Sequence, residues 1–377
     1  MPYFDHAATS YPKPSCVYEF ADQFYRQHGG NAKHGQSKIA NEAGKIVEKT
    51  RIALKEFFSA PVGYEVIFTP SATLALNTIL QGLPYREQQN VYITHFEHNA
   101  VIRTLHAMQE KINFQIKKIA TQAELFYDLS EIKKQFEQSP PRVVVCSHAS
   151  NVCGLIAPAA EIFTLAKQYG AITVLDASQT AGALDIDLSQ IPADFLVFNG
   201  HKSLYAPFGV AGFLTNGAYQ IPPLIFGGTG FRSADLDMPE ELPQKYEAGS
   251  LNLYAIAGLY QSLKWLKSTG ISTIRDKEHQ LTNMLKCCLM DIKKFAVFCP
   301  KNAVGILSLT LPGYTPDEIG KVLSLHDISV RTGLHCAPDA HRFLGTYPAG
   351  TVRISMGYFN TEDDISQLAE ILRMIRG

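Results

Sequence analysis

No apolar run in the 377 residues of this chain approaches the length needed to cross a bilayer. Charge of one sign is also lacking. Thirty-four basic and 35 acidic residues leave a formal net charge of −1, which argues against nucleic acid or a polybasic membrane patch as a partner. The cysteines, at 16, 146, 153, 287, 288, 299 and 336, form no disulfide framework and no C-x-x-C pair, so no metal is expected. No G-x-x-x-x-G-K-[ST] loop is present, and FGGTGF at 226–231 lacks the strand-to-helix setting of a dinucleotide fingerprint. Internal repeats and low-complexity tracts are missing too. The opening MPYFDHAATSYPKP has no basic stretch leading into an apolar one, and a soluble cytoplasmic protein is the expectation.

What is present is ample core material, with 46% hydrophobic residues, and length enough for two domains. From about residue 60 to 215, short apolar runs alternate with helical periodicity. Val66–Phe68, Val91–Thr94, Val143–Cys146, Ile172–Leu175, Phe195–Phe198 and Val210–Leu214 read as strands covered on both faces. The segment Ala160 to Tyr169 reads as a helix that stops at Gly170. This alternation predicts an α/β fold with a mostly parallel, open central sheet. After about residue 250, long helices are expected over 253–268 and 271–294. A smaller α+β region follows, with a capped helix start at Thr315-Pro316-Asp317-Glu318 and a final helix after Thr361. The domains are expected at 20–255 and 256–377, with residues 1–19 packing near the second and near the functional site.

In open α/β sheets, ligands bind beyond the carboxyl ends of the strands. Ser71-Ala72-Thr73 follows the first strand and opens a helix whose N–H groups suit a phosphate. His98 follows the second strand and Asn151 the third. Asp176 ends the fourth, with Gln179 close behind, and Asn199, His201 and Lys202 follow the fifth. Each has a bland reading as a cap, a surface histidine or a solvated lysine. Their agreement on one rim is harder to assign to chance. Pyridoxal phosphate (PLP) needs a lysine, a carboxylate for its pyridine nitrogen, a phosphate cradle and a ring to stack on. Lys202, Asp176, Thr73 with His201, and His98 answer those needs in turn.

The stretch LDASQTAGALDIDLSQIPADFLVFNGHKSLYAPFGVAGFL resembles the core of class V PLP-dependent aminotransferase-fold enzymes (fold type I). FDHAATSYPKP, VIFTPSATLALNTI, FEHNAV, SNVCG, YEAGSLNL, VRTGLHCAP and TVRISMGYFNTEDDI extend the likeness over the whole chain. It is strongest to the cysteine desulfurase and selenocysteine lyase group, in its short-loop, Suf-type branch. The resemblance implies that Lys202 carries PLP, Asp176 pairs with the pyridine nitrogen, Gln179 with the ring hydroxyl, and His98 stacks on the ring. Ala72, Thr73, Asn199 and His201 would hold the phosphate. Asn151 and Ala7 would lie near the substrate, and Arg353 would clamp its carboxylate. Ser250 would reach the cofactor of a partner subunit, which implies a homodimer.

Cys336, in RTGLHCAP, matches the sulfur-accepting cysteine of that group, with His335 beside it and Arg331 nearby as sources of positive charge. The implied reaction removes sulfur from L-cysteine, giving alanine and a persulfide on Cys336 for an acceptor protein. The short tether to Arg353 predicts that Cys336 sits in a recess. Selenocysteine, cysteine sulfinate or a transamination substrate, and a sulfur-relay scaffold with structural PLP, remain as alternatives. Four departures from the usual motifs are visible. His6 and Asn199 replace an Asn and a Ser, Leu74 stands where Glu is frequent, and an expected Arg near Lys33-His34 is absent.

Overall fold

The computed structural model describes residues 1–32, 37–292 and 294–375, so the Lys33-His34 departure lies outside the described residues. In chain order the strands are β1 (Glu65–Thr69), β2 (Asn90–Ile93), β3 (Gln115–Lys118), β4 (Thr121–Gln122), β5 (Phe126–Tyr127), β6 (Pro141–Ser147), β7 (Ile172–Asp176), β8 (Phe195–Asn199), β9 (Ala211–Thr215), β10 (Ala296–Phe298), β11 (Ile306–Thr310), β12 (Arg331–Gly333) and β13 (Thr351–Ser355). Among the described residues, a seven-stranded sheet has the order β1-β9-β8-β7-β6-β2-β3. Strands β3, β2, β6, β7 and β8 are mutually parallel. β9 runs antiparallel to both β8 and β1, which returns β1 to the common direction. The carboxyl ends of β1, β2, β6, β7 and β8 therefore share one rim.

Every residue of β7, β8 and β9 is buried. Side chains alternate between the two faces, as the strand period of two requires. Val66, Phe68, Val144, Leu175, Leu196 and Phe198 join the core on one face, while Ile67, Val143, Val145, Val174 and Val197 join the core on the other. Burial of each such side chain stabilises the fold by roughly 2 kcal/mol. At Gly212 in β9, a Cβ would collide with the Ile67 carbonyl oxygen, so the β1–β9 approach requires glycine there.

The helix expected over 160–169 spans Ala159–Lys167, and Gly170 adopts the left-handed φ of +67° that follows a helix end. The long helices are Leu253–Thr269 and Ile271–Ile292. Ile256, Leu259, Leu263 and Leu266 of the first pack into the core of the large sheet. Leu281, Leu285 and Leu289 of the second pack on a separate four-stranded sheet of order β10-β11-β13-β12. Ile365, Leu368 and Leu372, on one face of helix Glu362–Met374, complete that second core. Thr315 and Thr361 each form a capping box. The amino-terminal segment lies along the second sheet. Tyr3 bridges to Ser329 and Asp5 to Ser355, and Phe4 is fully buried there. Among the described residues, no helix is long and apolar enough to cross a membrane.

Candidate active site

A cavity of about 320 Å³ opens at the carboxyl rim of the large sheet. Ala72 and Thr73 line it from the turn after β1, and His98 from the turn after β2. Asn151 enters after β6, Asp176 and Gln179 at and after β7, and Asn199, His201 and Lys202 at the end of β8. Ala7 enters from the amino-terminal segment, and Cys336 and Arg353 from the second sheet and its loops. Ser250 is exposed and lies outside this cavity. It lines a second one of about 280 Å³, together with Leu74.

Lys202 is half-buried, and burial pushes its amine down to about 8, with the Asp176 carboxylate pulling the other way. Asp176 Oδ1 accepts the Ser178 N–H at 3.0 Å. Gly182 allows the loop carrying Gln179 to lie against the loop carrying Lys202, because a Cβ there would strike the Ser203 carbonyl. The amide nitrogen of Gln179 donates to the Ala7 carbonyl at 3.1 Å.

His98 caps the helix Asn99–Lys111. Its Nδ1 accepts the Ala100 N–H at 3.0 Å, which leaves Nε2 to carry the ring proton. Burial, then the nearby Lys202, push the imidazole down to about 4, so it is a neutral flat ring at neutral pH. Glu97, which sequence reasoning passed over, anchors this turn. Its Oε1 accepts from Thr94 Oγ1 at 2.7 Å and from the Ser147 N–H at 2.8 Å, joining the ends of β2 and β6. Burial pushes its carboxyl up to about 7.

The helix that opens at the β1 end of this rim is Ala72–Gly82. Its cap is Ser71, whose Oγ accepts the Leu74 N–H at 3.2 Å. Thr73 is therefore not the cap; it sits in the exposed first turn, where backbone N–H groups have no intrahelical acceptor. His201 Nδ1 and Asn199 Oδ1 are buried and have no hydrogen-bond partner among the described residues. The His201 ring stacks on Phe208, with centroids 4.4 Å apart. His6 is buried away from solvent, against Gly357, where a Cβ would collide with its ring.

Arg353 is almost fully buried. Its Nη1 donates to the Asn151 carbonyl at 3.0 Å and its Nη2 to Asp5 Oδ1 at 2.7 Å. Its Nε is buried with no partner among the described residues. Asp5 also lies 3.8 Å from Arg331 Nη1, so one carboxylate serves two arginines that line or flank the cavity. Its role was invisible in the sequence because its partners come from the far end of the chain.

Cys336 departs from expectation in two ways. It lines the cavity yet is exposed, so it occupies the cavity mouth and not a closed recess. His335, expected to add positive charge, is instead neutral: burial, then Arg353, push its imidazole down to about 2. Lys202, Arg331 and Arg353 line the same cavity as Cys336.

The chain matches the aminotransferase class-V family over residues 2–368. A probable cysteine desulfurase of Methanothermobacter thermautotrophicus is 29% identical over 383 residues, covering 100% of this chain and 94% of that protein. One from Vibrio cholerae is 30% identical over 373 residues, covering 97% and 91%. The apo structure of a cysteine desulfurase from Thermococcus onnurineus superposes with a TM-score of 0.90 at 26% identity, over 99% of this chain and 94% of that one. A match of this extent, with the strand ends converging on one cavity, places the chain in the class-V aminotransferase family.

Proposed function

We propose that the protein is a PLP-dependent cysteine desulfurase that takes sulfur from L-cysteine, releases alanine and leaves a persulfide on Cys336. One observation carries the reading. An amine held near 8, a carboxylate and an accessible thiol share a single cavity of about 320 Å³. The desulfurase names of its relatives agree with it.

The residues present fit PLP. Buried polar atoms left without partners at Asn199, His201, Ser178 and Asn151 call for a polar ligand, because such atoms are rarely left unsatisfied. Lys202 would hold the cofactor, Asp176 its pyridine nitrogen and Gln179 its ring hydroxyl. His98 would lie on its ring, and Ala72, Thr73, Asn199 and His201 would hold its phosphate. Bound PLP supplies an electron sink for the substrate Cα.

The chain's own groups do the rest. Arg353 lines the cavity with a buried Nε that has no partner among the described residues, and it would meet the substrate carboxylate there, with Asn151 beside it. Lys202, as a neutral amine, takes and returns the Cα proton. The Sγ of Cys336 is the soft nucleophile that bonds to the departing sulfur. Exposure of Cys336 suits hand-over to the thiol of an acceptor protein. The position of Ser250, exposed and outside the cavity of its own chain, suits a homodimer in which it reaches the partner's site.

Steady-state assays with L-cysteine, selenocysteine and cysteine sulfinate test the reading. L-Cysteine should have a kcat/KM at least comparable to the others, and the Cys336→Ser variant should lose activity on it. Activity confined to selenocysteine or cysteine sulfinate would make the protein a different lyase.

A further inference from the structure

The loop that carries Cys336 belongs to a closed ring of hydrogen bonds joining both sheets. Ser308 Oγ donates to the Val152 carbonyl at 2.7 Å, and Thr351 Oγ1 donates to Ser308 Oγ at 3.0 Å. His335 Nε2 lies 3.0 Å from Thr351 Oγ1. A carbonyl only accepts, so the direction of the chain is fixed. Each hydroxyl commits its one proton toward Val152, and Thr351 has only a lone pair to offer His335. His335 is therefore the Nε2–H tautomer, and its Nδ1 is a buried acceptor with no partner among the described residues. The ring closes because Asn151 Nδ2, one residue before Val152, donates to the His335 carbonyl at 2.6 Å.

Something must hold this loop, because its conformation is unfavourable. His335 has φ +49° and Cys336 has φ +56°, both in the left-handed region that glycine favours. The Asn99 N–H donates to the Cys336 carbonyl at 2.7 Å. The nucleophile is thus pinned between the turn after β2 and the hydroxyl relay. Ser308 and Thr351 are fully buried, so no water competes for their protons.

We propose that the relay from Val152 through Ser308 and Thr351 to His335 is the positioning device for Cys336, with His335 as a positioning residue whose tautomer the relay sets. The proposal rests on the assignment of Cys336 as sulfur acceptor. It places a structural requirement for sulfur transfer in two hydroxyls on β11 and β13, among residues that the sequence presents as ordinary strand positions.

The test uses PLP-loaded protein and the variants Thr351→Val, Thr351→Ser and Ser308→Ala. Three quantities are read: single-turnover persulfide formation on Cys336, KM for cysteine, and backbone hydrogen exchange in peptides covering 334–337 and Asn99. Thr351→Val keeps the shape and removes the hydroxyl. It should slow persulfide formation about tenfold, as loss of one hydrogen bond of ordinary strength would, with KM unchanged within about twofold. Exchange in both peptides should quicken. Ser308→Ala should fall the same way, and Thr351→Ser should match the wild type. Wild-type rates and exchange in both Thr351→Val and Ser308→Ala would overturn the proposal. So would a Thr351→Ser variant as slow as Thr351→Val, or a KM that rises in step with the rate loss. Wild-type protein that forms no persulfide would overturn the desulfurase reading instead, while the exchange comparison would still decide on the relay.

Discussion

Asp5 and Arg353 stand 348 positions apart in the chain, yet Asp5 Oδ1 accepts a hydrogen bond from Arg353 Nη2 at 2.7 Å. The pair fixes the guanidinium from one side and the Asn151 carbonyl fixes it from another, while Nε has no partner among the described residues. Asp5→Asn leaves a buried cation short of its counter-charge. The variant should lose roughly 3 kcal/mol of unfolding free energy in denaturant titration. Its KM for cysteine should rise while bound PLP is retained. An unchanged KM would mean that the guanidinium does not depend on Asp5 for its orientation.

Arg353→Lys tests the fork itself. Lysine keeps the charge but cannot offer two parallel N–H groups to a carboxylate. KM for cysteine should rise by about tenfold or more, with little change in cofactor content. A wild-type KM would put the carboxylate elsewhere, with Arg331 the next candidate at the cavity wall.

Lys202 gives a pH signature. Burial brings its amine from 10.5 to about 8, so the nucleophilic neutral form gains ground as pH rises toward 8 and saturates above it. Borohydride trapping of PLP on the apoprotein should rise with a midpoint near pH 8 and level off above about pH 9, with the label on Lys202. A midpoint near 10.5 would show that Lys202 is solvated.

Much of this site was legible in the sequence, for a physical reason. Strands buried on both faces read as apolar runs, and a polar residue that ends such a run marks the rim, as Asp176 and Asn199 do. Other features were not legible. Gln115–Lys118 joins the large sheet as an edge strand, but its partly exposed QIKK sequence carries no apolar run. Asp5, Ser308 and Thr351 act through partners distant in the chain, so no local pattern reveals them. The exposure of Cys336 depends on how its loop packs between Asn99 and Asn151, which its short tether does not specify.

Glu278, buried on helix Ile271–Ile292, predicts a stability change remote from the site. Burial raises its carboxyl from 4.5 to about 8. A raised folded value favours the protonated form, so its contribution is full below about 4.5 and is lost as pH rises through 8. Unfolding free energy should therefore fall across that window, and Glu278→Gln should remove roughly 5 kcal/mol of the fall. Parallel pH profiles for the two proteins would contradict the assignment.

The most direct test of the central claim is to incubate PLP-loaded protein with L-cysteine and quantify two products together: alanine in solution and added sulfur on each cysteine, by peptide mass spectrometry. A burst of about one alanine per site is expected, with sulfur on Cys336, and Cys336→Ser protein should bind PLP yet carry no persulfide. Alanine formed at the wild-type rate by Cys336→Ser, or sulfur found on another cysteine, would contradict it.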